Sequence, residues 1–153
     1  MSRVSSLLRS FDPFASCVSD AAIFYAVEEK SSAWWDRNVW HFVRLDGSGC
    51  AIWRGALQAN QNIGGRSLSH PLVELKVAGY TSFIPLRTRR LLWAWAYGYE
   101  TLPDGKQTDF STDEVISMTC WNHLCVSAQH MEKVDRTELG YKTWAKETGQ
   151  VAG

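Results

Sequence analysis

The sequence predicts an α+β domain in which helices accompany a small antiparallel sheet. Short segments rich in aromatic and β-branched residues alternate with turn residues, as in antiparallel strands. Three longer stretches show the apolar spacing of amphipathic helices. A third observation is the cysteine- and histidine-rich stretch MTCWNHLCVSAQHM, residues 118–131, which indicates a metal-stabilised core. The chain has 153 residues, of which 45% are hydrophobic, so a single domain with a substantial core is expected.

Three helices are predicted from apolar periodicity and from end signals. The first spans residues 15–30, and the second spans residues 86–98 with Gly98 as its C-terminal stop. The third spans residues 136–147 and follows a capping box formed by Asp135 and Glu138. The segment SSAWWDRN, directly after the first helix, is predicted to be a turn.

The strands of the predicted sheet lie between and after these helices. They are expected at residues 39–45, 50–57, 72–84 and 114–120, and the third is expected to break near Gly79. The sequence DGSG, residues 46–49, is a strong turn signal between the first two strands.

Charge and hydropathy exclude some function classes. The 16 basic and 16 acidic residues cancel, which argues against a strongly basic coat for nucleic acid, although a local basic patch remains compatible with this balance. No apolar run approaches the ~20 residues of a membrane helix. The N-terminal sequence MSRVSSLLRSFDPF lacks the apolar core of a signal peptide. We therefore expect a soluble, cytoplasmic protein without a membrane partner, and thiols or metal ligands rather than disulfides.

The stretch 118–131 offers metal ligands at an even spacing. Four residues separate Cys120 from Cys125, and four more separate Cys125 from His130. Zinc prefers four thiolate or imidazole ligands, so Cys50, which follows a glycine-rich turn, is the candidate for the fourth. His123 lies between the two cysteines and is an alternative ligand. Spacing alone does not exclude the alternative of two buried cysteines and a surface histidine.

Three segments together resemble the HNH, or His-Me finger, endonucleases, close to the His-Cys box homing endonucleases often found in phages. They are SGCAIWRGAL, RRLLWAWAYG and CWNHLCVSAQHM, in that order. The resemblance covers about residues 40–140. It implies a ββα core stabilised by one structural zinc, with Cys50, Cys120, Cys125 and His130 as ligands. The implied organisation is an N-terminal helical segment (1–38), a zinc-containing HNH-like domain (39–148) and a tail (149–153).

The catalytic residues that the resemblance implies are missing from their expected positions. Such nucleases carry a general-base histidine two residues before the first paired cysteine, where this chain has Met118. An asparagine or histidine that helps to hold magnesium is expected nine residues after His130, where this chain has Leu139. His123 and Glu138 are the nearest substitutes. Both expected positions therefore hold apolar residues, which favours a chain that has lost the usual nuclease centre.

A binding function then follows from the rest of the scaffold. The expected partner is DNA, or a protein that handles DNA or transcription, and the expected DNA contacts are arginines that pair with phosphate: Arg87, Arg89, Arg90 and Arg66. One alternative is an active, magnesium-dependent DNA endonuclease with a displaced site. Another is a structural or assembly protein that reuses the fold. The resemblance also implies a phage origin with action in the host cell, and a homodimer.

Overall fold

The computed structural model describes residues 18–59, 69–77, 83–103 and 114–135, and this part of the chain has a mixed α+β fold. The helices are α1 (Val18–Glu29), α2 (Ser32–Asn38) and α3 (Thr88–Tyr97). The strands are β1 (Val43–Leu45), β2 (Ala51–Trp53), β3 (Leu57–Ala59), β4 (Ser69–Leu75), β5 (Ile84–Arg87), β6 (Glu114–Met118) and β7 (Met131–Asp135). All pairings among these strands are antiparallel. They form three sheets, β1–β2, β3–β4–β5 and β6–β7, rather than the one small sheet expected.

The first two helices pack into the main core. The helix expected near the N-terminus is confirmed over the residues of α1. The turn predicted for SSAWWDRN is wrong, because this segment forms α2. The side chain of Ser31 caps α2 by accepting a hydrogen bond from the backbone N–H of Trp34 at 3.3 Å. The indole N–H of the buried Trp35 donates to the carbonyl of Ala26 in α1 at 3.3 Å, which joins the two helices.

The strand expected over residues 39–45 is shorter than predicted, since Trp40–Phe42 forms a 3₁₀ turn and only β1 is extended. The turn expected at DGSG is confirmed. The backbone N–H of Gly49 donates to the carbonyl of Asp46 at 3.3 Å. Gly49 has a φ of 91°, which a residue without a side chain adopts most easily. This turn sends β2 back along β1.

The strand predicted over residues 50–57 is two strands, because the chain bends at Gly55 between β2 and β3. A Cβ atom at Gly55 would lie 2.6 Å from the ring of Trp53, so a side chain at this bend would force the ring or the backbone to shift. β3 pairs with β4, and β4 pairs with β5, with Leu72 opposite Arg87. Of the one or two strands expected within residues 72–84, the first is confirmed as part of β4. β5 shares only Ile84 with this range, and its residues Leu86 and Arg87 were expected to lie in the helix.

The arginine-rich helix α3 is confirmed close to its predicted bounds and follows β5 without a loop. Gly98 ends it with a φ of 97°, and the backbone N–H of Gly98 donates to the carbonyl of Ala94 at 2.9 Å. α3 packs against α1 and against β4 and β5. Leu91 and Leu92 are 0% and 2% exposed. Burial of each such side chain stabilises the fold by about 1.5–3 kcal/mol.

The last described element is the β6–β7 hairpin, in which Met118 lies opposite Met131. The helix predicted at 136–147, which would complete a ββα unit with this hairpin, lies outside the described residues. So do other residues that the predictions single out: 15–17, Arg66, Gly79, Glu138 and Leu139. Among the described helices, none combines the length and the apolar character that crossing a membrane requires.

Candidate metal centre

Three cysteines and one histidine, Cys50, Cys120, Cys125 and His130, bring their donor atoms together within 4.8 Å of one another. The Nδ1 atom of His130 faces two of the sulfurs. It lies 3.4 Å from Sγ of Cys125 and 3.8 Å from Sγ of Cys50. The three cysteines are free thiols. A group of this composition can hold a metal ion such as zinc.

We call these four residues the metal cluster. The distances between their donor atoms fit tetrahedral coordination of one ion. Zinc–sulfur bonds of about 2.3 Å and zinc–nitrogen bonds of about 2.05 Å place ligand atoms about 3.5–3.8 Å apart at tetrahedral angles. The two sulfur–nitrogen distances, 3.4 and 3.8 Å, lie at this spacing. The widest pair of donor atoms is within 4.8 Å, so shifts of at most about 1 Å close the cluster around an ion.

The DGSG turn presents Cys50. One carboxylate oxygen of Asp46 accepts three hydrogen bonds: from the backbone N–H of Ser48 at 3.0 Å, from its hydroxyl at 2.7 Å and from the backbone N–H of Cys50 at 2.9 Å. These bonds, led by the Ser48 hydroxyl, lower the pKa of Asp46, and the nearby charge of His130 acts in the same direction. An ionised Asp46 therefore holds the turn in the shape that points Cys50 at the cluster.

Pairing with β2 brings the paired cysteines to Cys50. Cys125 forms an isolated antiparallel bridge with Ile52. On one side of it the backbone N–H of Trp53 donates to the carbonyl of Leu124 at 2.8 Å. On the other side, the N–H of Val126 donates to the carbonyl of Ala51 at 2.7 Å. Because Cys50 directly precedes β2, this short ladder places its thiol beside that of the fully buried Cys125.

Hydrogen bonds at the loop end of the β6–β7 hairpin hold His130 in place. The backbone N–H and the hydroxyl of Thr119 both donate to the carbonyl of His130, at 2.7 and 3.1 Å. The backbone N–H of His130 donates to the carbonyl of Ser127 at 3.0 Å, which closes the 3₁₀ turn Ala128–His130. Cys120 and His130 therefore leave the hairpin side by side, facing the same point.

Cys120 and Cys125 differ in how readily they ionise. Burial raises the pKa of Cys125 to about 11, although the backbone N–H groups of Ser127 and Ala51 oppose this effect. Burial also disfavours ionisation of Cys120. There, the backbone N–H of Asn122 and the neighbouring thiols more than compensate, so the pKa of Cys120 is lowered. Three adjacent thiolates repel one another, and a bound cation offsets that repulsion.

The other three histidines of the chain lie outside the metal cluster. His123, the alternative ligand, is exposed, and the group of donors contains His130 instead. His41 is exposed, with its ring 5.0 Å from that of Phe42. His70 is partly buried on β4, and burial together with two nearby arginines lowers its pKa to about 4. Met118, at the position expected for a general base, is 6% exposed.

Two of the arginines expected to contact DNA instead contact other parts of this chain. Arg90 is 7% exposed, and its Nη1 donates to the carbonyl of Pro103 at 3.1 Å. Arg89 donates three hydrogen bonds to backbone carbonyls between Cys120 and Cys125. Arg87 is partly buried at the end of β5. DNA contact by these residues stays a prediction, but the guanidinium groups of Arg89 and Arg90 are committed to contacts inside the described fold.

Sequence reasoning missed two residues that organise the metal cluster. Asp46 carried a local signal, because an aspartate at the start of a turn commonly accepts hydrogen bonds from the next few N–H groups. It had been assigned only to the turn. Arg89 carried no such signal, since its contacts with the cysteine loop span 33–36 residues of sequence.

Comparison with known proteins found no family model, no curated protein and no solved structure that matches this chain.

Proposed function

We propose that this chain is a zinc-stabilised, HNH-like binding domain that lacks the usual nuclease centre. The observation that carries the proposal is the convergence of three cysteines and one histidine within 4.8 Å, drawn from two segments of the chain: the end of the DGSG turn and the stretch 118–131. Thiolate and imidazole ligands in tetrahedral array select zinc over the harder cations calcium and magnesium.

The zinc in this proposal is structural. Four protein ligands fill a tetrahedral shell, whereas a catalytic zinc site keeps a position for water or substrate. Cys50 and Cys125 are 5% and 0% exposed and belong to the same core as Trp53 and Val126. When bound, the ion would supply a crosslink between β2, the cysteine loop and the β6–β7 hairpin. The residues around it hold that geometry and exclude solvent from it.

The arrangement of the three resembling segments supports an HNH-like scaffold. The strand after Cys50 pairs with the loop of the paired cysteines, and the basic helix α3 contacts the same loop through Arg89. At the place of the general base, the thioether of the buried Met118 cannot accept a proton from water at neutral pH. These features support a scaffold that keeps its metal crosslink without its water-activating histidine.

Exposed aromatic side chains favour a protein over bare DNA as the partner. Trp95 and Tyr97 on α3 are 52% and 46% exposed, and Trp121 in the cysteine loop is 39% exposed. Trp95 packs edge-on against Trp40 at 4.9 Å, beside a partly open apolar cavity of about 90 Å³. Tryptophan and tyrosine are enriched in the energetic centres of protein interfaces. Binding to bare DNA is the other outcome that the experiments below distinguish.

Metal content and plasmid nicking test the first part of the proposal. Elemental analysis of the purified protein is expected to give one zinc per chain. Supercoiled plasmid with magnesium or manganese is expected to stay intact, even at high protein concentration. Cys120→Ala serves as the control for the folded metal domain. Nicking by the wild-type protein but not by Cys120→Ala would contradict loss of the nuclease centre and support the displaced-site alternative.

Two binding measurements distinguish the partner classes. Fluorescence anisotropy with a duplex DNA at low and at physiological salt is expected to show weak binding at most, since Arg89 and Arg90 are engaged internally. Quantitative capture from a host lysate is expected to retain a DNA-handling protein that Trp95→Ser loses. Leu45→Ser, at a site that is 84% exposed on β1, is the matched control and should keep that protein. Tight, salt-sensitive DNA binding would instead identify DNA as the partner.

A further inference from the structure

Arg89 reaches from α3 to the loop between Cys120 and Cys125 and binds it at three points. Its Nε donates to the carbonyl of Cys125 at 3.0 Å. Its Nη2 donates to the carbonyls of Asn122 and His123, at 3.1 and 2.6 Å. The three acceptors lie within residues 122–125, so one guanidinium group bonds to three of the four carbonyls in this half of the loop, while the fourth, that of Leu124, accepts from Trp53.

The loop needs such a donor because its backbone is tightly folded. Trp121 adopts a left-handed conformation with a φ of 58°, which is unfavourable for a residue with a bulky side chain. The backbone N–H of Cys125 donates to the carbonyl of Asn122, and the side chain of Asn122 accepts from the N–H of Leu124. Several carbonyls are thereby turned towards α3, where the planar guanidinium with its several N–H donors bonds to three of them together.

Arg89 also interacts with the cysteines through its positive charge. A zinc ion of charge +2 with three thiolates and a neutral histidine carries a net charge of −1, and the guanidinium adds +1 beside it. A partly buried cation close to the cluster offsets its net charge more strongly than a fully solvated one would.

We propose that Arg89 is a positioning residue of the metal centre, which holds the cysteine loop in its metal-binding shape and balances the charge of the thiolate cluster. The inference rests on the proposed zinc site and adds to it a residue outside the ligand set. Groups that orient metal ligands typically contribute roughly 10–100-fold to metal affinity. Arg89 acts here through the loop backbone and through its charge.

The neighbouring Arg90 provides a matched control. It lies on the same helix, it is buried, and it also donates to a backbone carbonyl, that of Pro103. The contacts described for it include none with the cysteine loop. Arg90→Met therefore reproduces the loss of a buried arginine from α3, whereas Arg89→Met also removes the three loop bonds and the balancing charge.

The experiment measures zinc affinity by competition with a chromophoric chelator, using the full chain. Arg89→Met is expected to weaken zinc binding roughly 10–100-fold, and Arg90→Met by less than about threefold. Arg89→Lys keeps the charge but cannot span three carbonyls, so an intermediate loss is expected. This variant also carries the test if Arg89→Met does not fold, because its retained charge and smaller perturbation favour folding.

Cobalt substitution gives a spectroscopic readout that would not change if Arg89 had only a structural role. Removal of a nearby cation raises the energy of the thiolate electrons, so the sulfur-to-cobalt charge-transfer band of Arg89→Met should move to longer wavelength. The bands of Arg89→Lys and Arg90→Met should stay near those of the wild type. Unchanged affinity and spectra in both Arg89 variants, with a zinc-binding wild type, would overturn this inference alone. A wild type that binds no zinc would overturn the proposed zinc site as well.

Discussion

Replacement of Cys120 by alanine isolates the contribution of the metal to stability. Cys120 is only partly buried, whereas Cys50 and Cys125 are 5% and 0% exposed. Alanine at position 120 therefore disturbs the packing of the core less than alanine at either of the other positions. We expect Cys120→Ala to lose zinc and, with it, most of the stability that zinc supplies.

The expected magnitude follows from separate estimates for packing and for metal binding. Removal of a partly exposed sulfur costs less than about 1 kcal/mol in transfer free energy. Zinc at a free concentration 1,000 times its Kd stabilises the folded state by about 4 kcal/mol, and each tenfold change in free zinc adds or removes about 1.4 kcal/mol. The β1–β2 and β6–β7 sheets have two strands each. Because isolated two-stranded hairpins are marginal, loss of the metal crosslink should affect both.

The assay is urea unfolding, followed by tryptophan fluorescence, in zinc buffers of defined free concentration and in the presence of a chelator. Wild-type stability should rise with free zinc at the slope given above, whereas Cys120→Ala should be insensitive to zinc and chelator. Gln129→Ala changes an exposed residue that adjoins a ligand and is the matched control, which should respond like the wild type. A wild-type unfolding curve that the chelator leaves unchanged would refute the reasoning.

Four further predictions concern other parts of the fold. The pKa of His70 is about 4 in the folded state, below the 6.5 of an ordinary histidine. As the pH drops from 6.5 to about 4, the free energy of unfolding should therefore fall by about 1–2 kcal/mol, after allowance for partial exposure. His70→Asn should lack this part of the pH dependence, while metal release at low pH should affect both proteins alike. Long-range ¹H–¹⁵N NMR of the zinc protein should show His130 bound through Nδ1 and protonated at Nε2; binding through Nε2 would contradict the observed orientation. Gly55→Ala should lower the free energy of unfolding by about 1–3 kcal/mol, because the new Cβ would lie 2.6 Å from the Trp53 ring; an unchanged urea midpoint would contradict this. Leu91→Ala should destabilise the fully buried core by about 2–5 kcal/mol in the same assay, and a loss below 1 kcal/mol would count against its core position.

The sequence predicted local structure well where the physical cause lies within the same segment. The DGSG turn and the Gly98 helix end depend on the backbone freedom of glycine, and both were found where expected. α2 was missed because its cap, the side chain of Ser31, and the burial of Trp35 against α1 outweighed the turn-like composition of SSAWWDRN. The 50–57 strand was overestimated because Gly55 permits a bend that periodicity does not reveal.

The sequence alone identified Cys120, Cys125 and His130 as candidate ligands through their local spacing, and Cys50 through the turn before it, but it left His123 open as an alternative. The tertiary structure decided that these four donors meet and that His123 stays outside, since this depends on the pairing of Cys125 with β2. It also decided the use of the arginines on α3. Their positive charge predicted a contact with phosphate, whereas packing of α3 against the cysteine loop directs Arg89 to backbone carbonyls instead. An arginine can donate to phosphate or to backbone carbonyls, and only the folded chain defines which acceptors lie within its reach.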